Sequence, residues 1–250
     1  MEFNEEYNNG DVITFNPNGF TDSFPVADEN SVLKRVFKWM ALGLGISGVS
    51  AFAGLYGIIY MVYAGMESAA NILMWVLLIG ELILVWQFTK RLPTMSAKSA
   101  KICFIAYSII DGLTMSVFLL AYTTSSVFIT FLVTASMFGI AALYGKLTKN
   151  NLNSWGTYLI MGLWGIIIAG IVNIFILNSV IDFVVTVLGI VIFIGLTAYD
   201  TNKIKQYSEE VGLTSNEEVD KVVIYGALQL YLDFINLFIK LLRLLGKRRD

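Results

Sequence analysis

Apolar residues run in long blocks along this chain, separated by short polar breaks. Seven blocks can be marked, at roughly residues 35–61, 70–89, 100–122, 125–144, 154–177, 180–199 and 222–246. Each approaches or exceeds the ~20 residues that an α-helix needs to cross ~30 Å of hydrocarbon. Such a segment must be helical in lipid, because no water is present there to satisfy its backbone. The breaks are mostly short, which favours antiparallel neighbours. The pattern predicts an all-α, polytopic membrane protein with seven transmembrane helices.

Composition agrees. The 250 residues are 56% hydrophobic and 14% charged, whereas soluble domains are about a quarter charged. Mean hydropathy is +0.70. The first 31 residues differ from the rest: they hold Glu2, Glu5, Glu6, Asp11, Asp22, Asp28 and Glu29 and no lysine or arginine. That is the reverse of the basic start of a cleavable signal peptide. Residues 1–31 therefore read as a disordered acidic tail, and 32–250 as one membrane domain.

Lysine and arginine set the orientation. Lys34, Arg35 and Lys38 stand at the start of the first block. Lys90, Arg91, Lys98 and Lys101 fall between the second and third, Lys146 and Lys149 between the fourth and fifth, and Lys203, Lys205 and Lys221 between the sixth and seventh. The other three connections contain none. This predicts a cytoplasmic N-terminus. Lys247, Arg248 and Arg249 break the rule, because seven crossings put them outside. The alternative is a last segment that re-enters and returns; its 25 residues are ample for a full crossing, which is the expectation.

Charge in the apolar blocks marks the candidate chemistry. Asp233 lies near the middle of the last block, where a charge costs at least ~2.5–3.5 kcal/mol on insertion scales. Gly226, Gln229, Asp233, Asn236, Lys240 and Arg243 recur at steps of three and four, which aligns them on one helix face. That face must meet the bundle interior or a watery path. Asp200 closes the preceding block, Glu81 interrupts the second and Asp111 the third. Asp182 reads as an outer-interface residue. Glu81, Asp111, Asp200 and Asp233 put four acids at or near membrane depth; with Asn236 they are candidates for contact with a passing cation, and hard oxygen ligands suit calcium. Two neighbouring carboxylates sharing one proton titrate in separated steps, which makes a pH switch without histidine. The chain has no histidine and one cysteine, Cys103. In the first block, Gly43, Ser47 and Ala51, with Ser50 and Gly54 alongside, read as ordinary close helix packing. The acids of the 201–221 connection (Glu209, Glu210, Glu217, Glu218, Asp220) read as a solvated linker. No phosphate loop, zinc spacing or nucleophile triad is present, and the net charge of −2 offers nothing to nucleic acid.

The segment Gly195-Leu196-Thr197-Ala198-Tyr199-Asp200-Thr201-Asn202-Lys203-Ile204-Lys205 closely resembles a signature of the Bax inhibitor-1 family. So does Leu230-Tyr231-Leu232-Asp233-Phe234-Ile235-Asn236-Leu237-Phe238, with the basic end that follows it. The stretch from Gly145 to Asn173 also looks like the family. The resemblance covers about residues 30–250. It implies a seven-helix fold with the last helix central, wrapped by the other six. It also implies a pH-sensitive calcium leak, and a hydrogen-bonded aspartate pair at the cytosolic side that falls on Asp200 and Asp233. A basic residue at the end of the second helix contacts this pair in the family; the candidates here are Arg91 and Lys90. Glu81 matches an acidic position of the family, whereas Asp111 stands on the sequence alone. The closer likeness is to the bacterial branch, so the cell-death role of eukaryotic members is not carried over.

The expected function is a pH-sensitive, calcium-permeable leak channel of the bacterial inner membrane, gated by the aspartate pair. Its partners would be the lipid bilayer, calcium and protons. No cofactor and no enzymatic activity are expected. One alternative is a membrane scaffold or protease regulator without transport. Another is an intramembrane aspartyl protease, suggested by Tyr199-Asp200. The protease reading fails on Leu230-Tyr231-Leu232, where that class has glycine, and on its later Pro-Ala-Leu segment, since the last proline here is Pro93.

Overall fold

The computed structural model describes residues 29–92, 94–210 and 216–249. Seven helices form among them: α1 (Glu29–Tyr63), α2 (Glu67–Arg91), α3 (Ala97–Ala121), α4 (Thr124–Leu147), α5 (Asn153–Ile176), α6 (Ser179–Glu210) and α7 (Asn216–Leu245). All seven are long and apolar enough to cross a membrane. The expected acidic tail lies outside the described residues as far as residue 28.

α7 is the central helix. Val223, Ile224, Ala227, Leu228, Leu230, Tyr231, Leu237 and Leu242 on it are fully or almost fully buried. It packs against α1, α3, α4 and α6. α2 lies mainly on α3, and α5 on α6, so these two form an outer layer. Trp75 and Trp86 of α2 and Trp155, Tyr158 and Trp164 of α5 are exposed, as suits lipid-facing and interfacial aromatics.

The tightest helix pair is α1 with α3. A Cβ on Gly112 would stand 2.4 Å from the Ser47 carbonyl oxygen, so only glycine lets the two backbones meet there. Gly43 lies under the Phe104 ring and Gly54 against Ser116, so the small-residue stripe is packing surface, as expected. Gly145 plays the Gly112 role between α4 and α6, facing the Ala198 carbonyl.

α7 crosses completely. Beyond Leu245 the chain meets the α3–α4 connection: Thr123 N–H donates to the Lys247 carbonyl and Arg249 N–H to the Ala121 carbonyl, each at 3.0 Å. Lys247 N–H also donates to Ser126 Oγ at 2.8 Å. The basic end is therefore tied to the membrane face opposite Arg35, and the re-entrant alternative falls.

The 201–221 connection differs from the expected linker. Residues 201–210 continue α6 and 216–221 begin α7. An apolar block reports where lipid is, and a helix can run on into water, where its polar side chains cost little. Asp220 is not simply solvated either: its carboxylate accepts from Arg35 and Lys101, joining the ends of α7, α1 and α3.

Candidate functional site

α6 and α7 pack along much of their length, and this brings Asp200 and Asp233 together as a hydrogen-bonded pair of buried carboxyls. Two ionised carboxylates have no donor between them, so the contact requires a proton on one. Among the described residues no N–H or O–H group reaches Asp233 Oδ2, which is fully enclosed.

The other polar residues near Asp200 fix the helix that carries it. Thr197 and Thr201 donate back to the carbonyls of Phe193 and Thr197. Asn202 donates to the Gly145 carbonyl at 3.2 Å and accepts from Leu152 N–H at 3.3 Å, holding the α4–α5 turn against α6. The Tyr199 ring lies on Gly156, where a Cβ would come within 2.4 Å. Lys203 Nζ stands over that ring, 5.6 Å from its centroid, one helical turn beyond Asp200.

Two cavities approach the pair. The larger, about 1160 Å³, runs from Asp182, Arg243 and Arg248 down to Asp233, Asp200 and Lys203. The smaller, about 580 Å³, lies towards the end of α6 and is lined by Thr89, Glu218 and Lys221 among others. Asp200, Lys203 and Gln229 line both and form the partition between them. Gln229, Asp233, Asn236, Lys240 and Arg243 of the α7 stripe all line the larger cavity, which is the face that the spacing predicts.

Several expected members are elsewhere. Lys90 and Arg91 are exposed, and Lys90 lies over Trp86 at 5.1 Å. Neither lines a cavity wall beside the pair; the lysine that does is Lys203. The reason is rotational: the end of α2 and its C-cap turn Phe88 and Leu92 inward instead. Glu81 and Asp111 line neither cavity. They form a second polar centre, in hydrogen-bond contact with each other. Thr114 Oγ1 donates to Glu81 at 2.7 Å and Tyr107 OH at 3.2 Å. Tyr231 OH donates to Asp111 and lies 2.6 Å from Ser47 Oγ. Of Glu81, Asp111 and Asn236, only Asn236 is on the cavity wall. Lys203 was missed as a site residue, although it follows Asp200 by three residues, one turn along the same face.

A family model described as "Inhibitor of apoptosis-promoting Bax1" matches residues 29–250. The chain belongs to the Bax inhibitor-1 family. Inner membrane protein YbhL of Escherichia coli strain K12 is 37% identical over 225 residues, covering 90% of this chain and 95% of that protein. A protein of Borreliella burgdorferi is 39% identical over 223 residues, covering 89% and 94%. YrjE of Lactococcus lactis is 33% identical over 218 residues, covering 87% and 91%. With its seven apolar spans and an inner-membrane relative of nearly equal extent, this member of the Bax inhibitor-1 family is a multi-pass integral protein of the bacterial inner membrane.

Proposed function

We propose that this protein is a pH-sensitive, calcium-permeable leak channel whose gate is the Asp200–Asp233 pair. The observation that carries the reading is the position of the pair: Asp200 stands in the partition between two cavities, and Asp233 lines the larger one beside it. The orientation proposed from the basic residues places the smaller cavity on the cytoplasmic side. With one proton between them, the carboxyls hold α6 against α7 and the partition is closed. Losing that proton puts two like charges together. At ~4 Å and an effective dielectric constant of ~20 the repulsion is about 4 kcal/mol, enough to move a closed state into the minority. Lys203 offsets part of it. Glu218, Lys221 and Tyr225 face the same region across the smaller cavity. Flux should therefore be low at acid pH and rise as pH rises.

Calcium is the proposed cargo, and the pair touches it in passage. Two carboxylates fall short of the roughly six to eight oxygens of a calcium site. Among the described residues no group of three or more acidic, histidine or cysteine side chains gathers to complete one. No catalytic step is part of the proposal.

The test is calcium flux into proteoliposomes over a pH series. Asp233→Asn supplies an amide N–H that can donate to Asp200 without a titrating proton. Flux at alkaline pH should fall to the acid-pH level and the pH dependence should flatten. An unchanged flux and profile in Asp233→Asn would remove the gate. Flux equal to that of empty liposomes at every pH would leave the scaffold reading instead.

A further inference from the structure

The larger cavity is a groove open to the side of the bundle. α6 is its floor. Its α5 wall includes Ile160, Ile167, Ile171 and Ile174, and these side chains are 40–68% exposed, so in a bilayer they meet hydrocarbon. The groove is thus continuous with lipid, and apolar along α5.

Its end near the α7 C-terminus has a different character. Lys240, Arg243 and Arg248 line it, with Asp182 as the acid. Arg243 Nη1 lies 3.8 Å from Asp182 Oδ1. Lys240 is half-buried, and its methylenes lie along α6, where a Cβ on Gly189 would come within 3.0 Å of Cε. Among the described residues its ammonium makes no ion pair. Three cations against one acid leave two positive charges in excess, at the mouth of a groove with isoleucine walls. Snorkelling explains a lysine that reaches water, but here the lysine stem is pinned along the groove.

We propose that an anionic phospholipid occupies this groove, from the leaflet at the C-terminal end of α7. Its phosphate meets Lys240, Arg243 and Arg248, and an acyl chain lies along the isoleucines of α5. A small hydrated anion would satisfy the cations but leave the apolar wall uncovered; a lipid meets both at once. The inference does not depend on calcium passing through the protein. It does bear on the proposed path, because a phosphate at this mouth removes a positive barrier to entering cations.

Lipid retention on the purified full-length protein tests it, by native mass spectrometry with phosphatidylglycerol against phosphatidylcholine of the same chains. Phosphatidylglycerol should be retained severalfold more. Lys240→Gln should lower its retention about fivefold, the factor for one cation near anionic lipid. Ile171→Trp, which fills the groove from an exposed position without changing charge, should lower it too. Lys247→Gln and Arg249→Gln, outside the groove, should not. Equal retention of the two lipids would overturn the proposal, as would wild-type retention in both Lys240→Gln and Ile171→Trp. An equal loss in Lys247→Gln would show a general surface attraction and overturn the groove. Displacement of the lipid by inorganic phosphate would show a plain anion site and overturn the lipid assignment. These readouts measure binding alone, so they stand whether or not the calcium flux is found.

Discussion

Tyr231→Phe removes a single oxygen from the middle of the bundle. Tyr231 is completely buried. Its hydroxyl donates to Asp111 Oδ2 and lies 2.6 Å from Ser47 Oγ, so one atom joins α7 to α3 and α1. The ring keeps its edge contacts with Phe104 and Tyr107, at 5.8 and 5.9 Å between centroids. Ser47 Oγ keeps the carbonyls of Ser108, at 2.8 Å, and Gly43, at 3.0 Å. The loss therefore falls on Asp111, a buried acceptor deprived of a donor. Such a loss costs about 1–3 kcal/mol in water-soluble proteins. Interhelical hydrogen bonds in membranes average ~0.6 kcal/mol and reach ~1.7. With two contacts broken at once, about 1–2 kcal/mol is expected. For a chain of this size that lowers the midpoint of thermal unfolding in detergent by roughly 2–8 °C. Tyr107→Phe breaks one longer contact, 3.2 Å to Glu81, and should cost less. Combining Tyr231→Phe with Asp111→Asn should cost less than the sum of the two, because they share the lost bond. An unchanged midpoint for Tyr231→Phe, or a larger drop for Tyr107→Phe, would refute this account of the second polar centre.

Three further outcomes follow from the packing and the ends of the helices. Gly112→Ala forces a methyl group into the Ser47 backbone and should destabilise the detergent-solubilised protein by about 1–3 kcal/mol, whereas Gly48→Ala, which meets open space, should leave its unfolding midpoint unmoved. Asp220→Asn leaves Arg35 and Lys101 facing each other without their acid; a loss of up to about 1 kcal/mol is expected, shrinking as salt is raised in the same unfolding assay. A cysteine placed at Arg249, in a Cys103→Ser background, should react with a membrane-impermeant thiol reagent from the face opposite residue 35; labelling from the same face as residue 35 would contradict the full crossing of α7.

What the sequence made legible divides along a physical line. Helix number and approximate span follow from lipid itself, because any exposed backbone there must be internally bonded. The inward face of α7 was legible as well, since its polar residues gather on one side and a helix of that kind has one way to turn. α2 is the opposite case. It is apolar nearly all round, so nothing local says which side meets the bundle. That is why Lys90 and Arg91 stood as partners of the aspartate pair although the helix turns them outward. The same ambiguity hid the meeting of Glu81 with Asp111, which depends on how α2 and α3 rotate against each other. Asp111 could be recognised as an expensive residue, but not as one already satisfied. Its donor, Tyr231, sits two residues before Asp233, on a part of α7 facing α1 and α3 instead of α6. One helix therefore serves two carboxylate centres from two sides. Sequence spacing shows one polar stripe on α7; the second centre draws on a tyrosine that reads as core until α1 and α3 are in place.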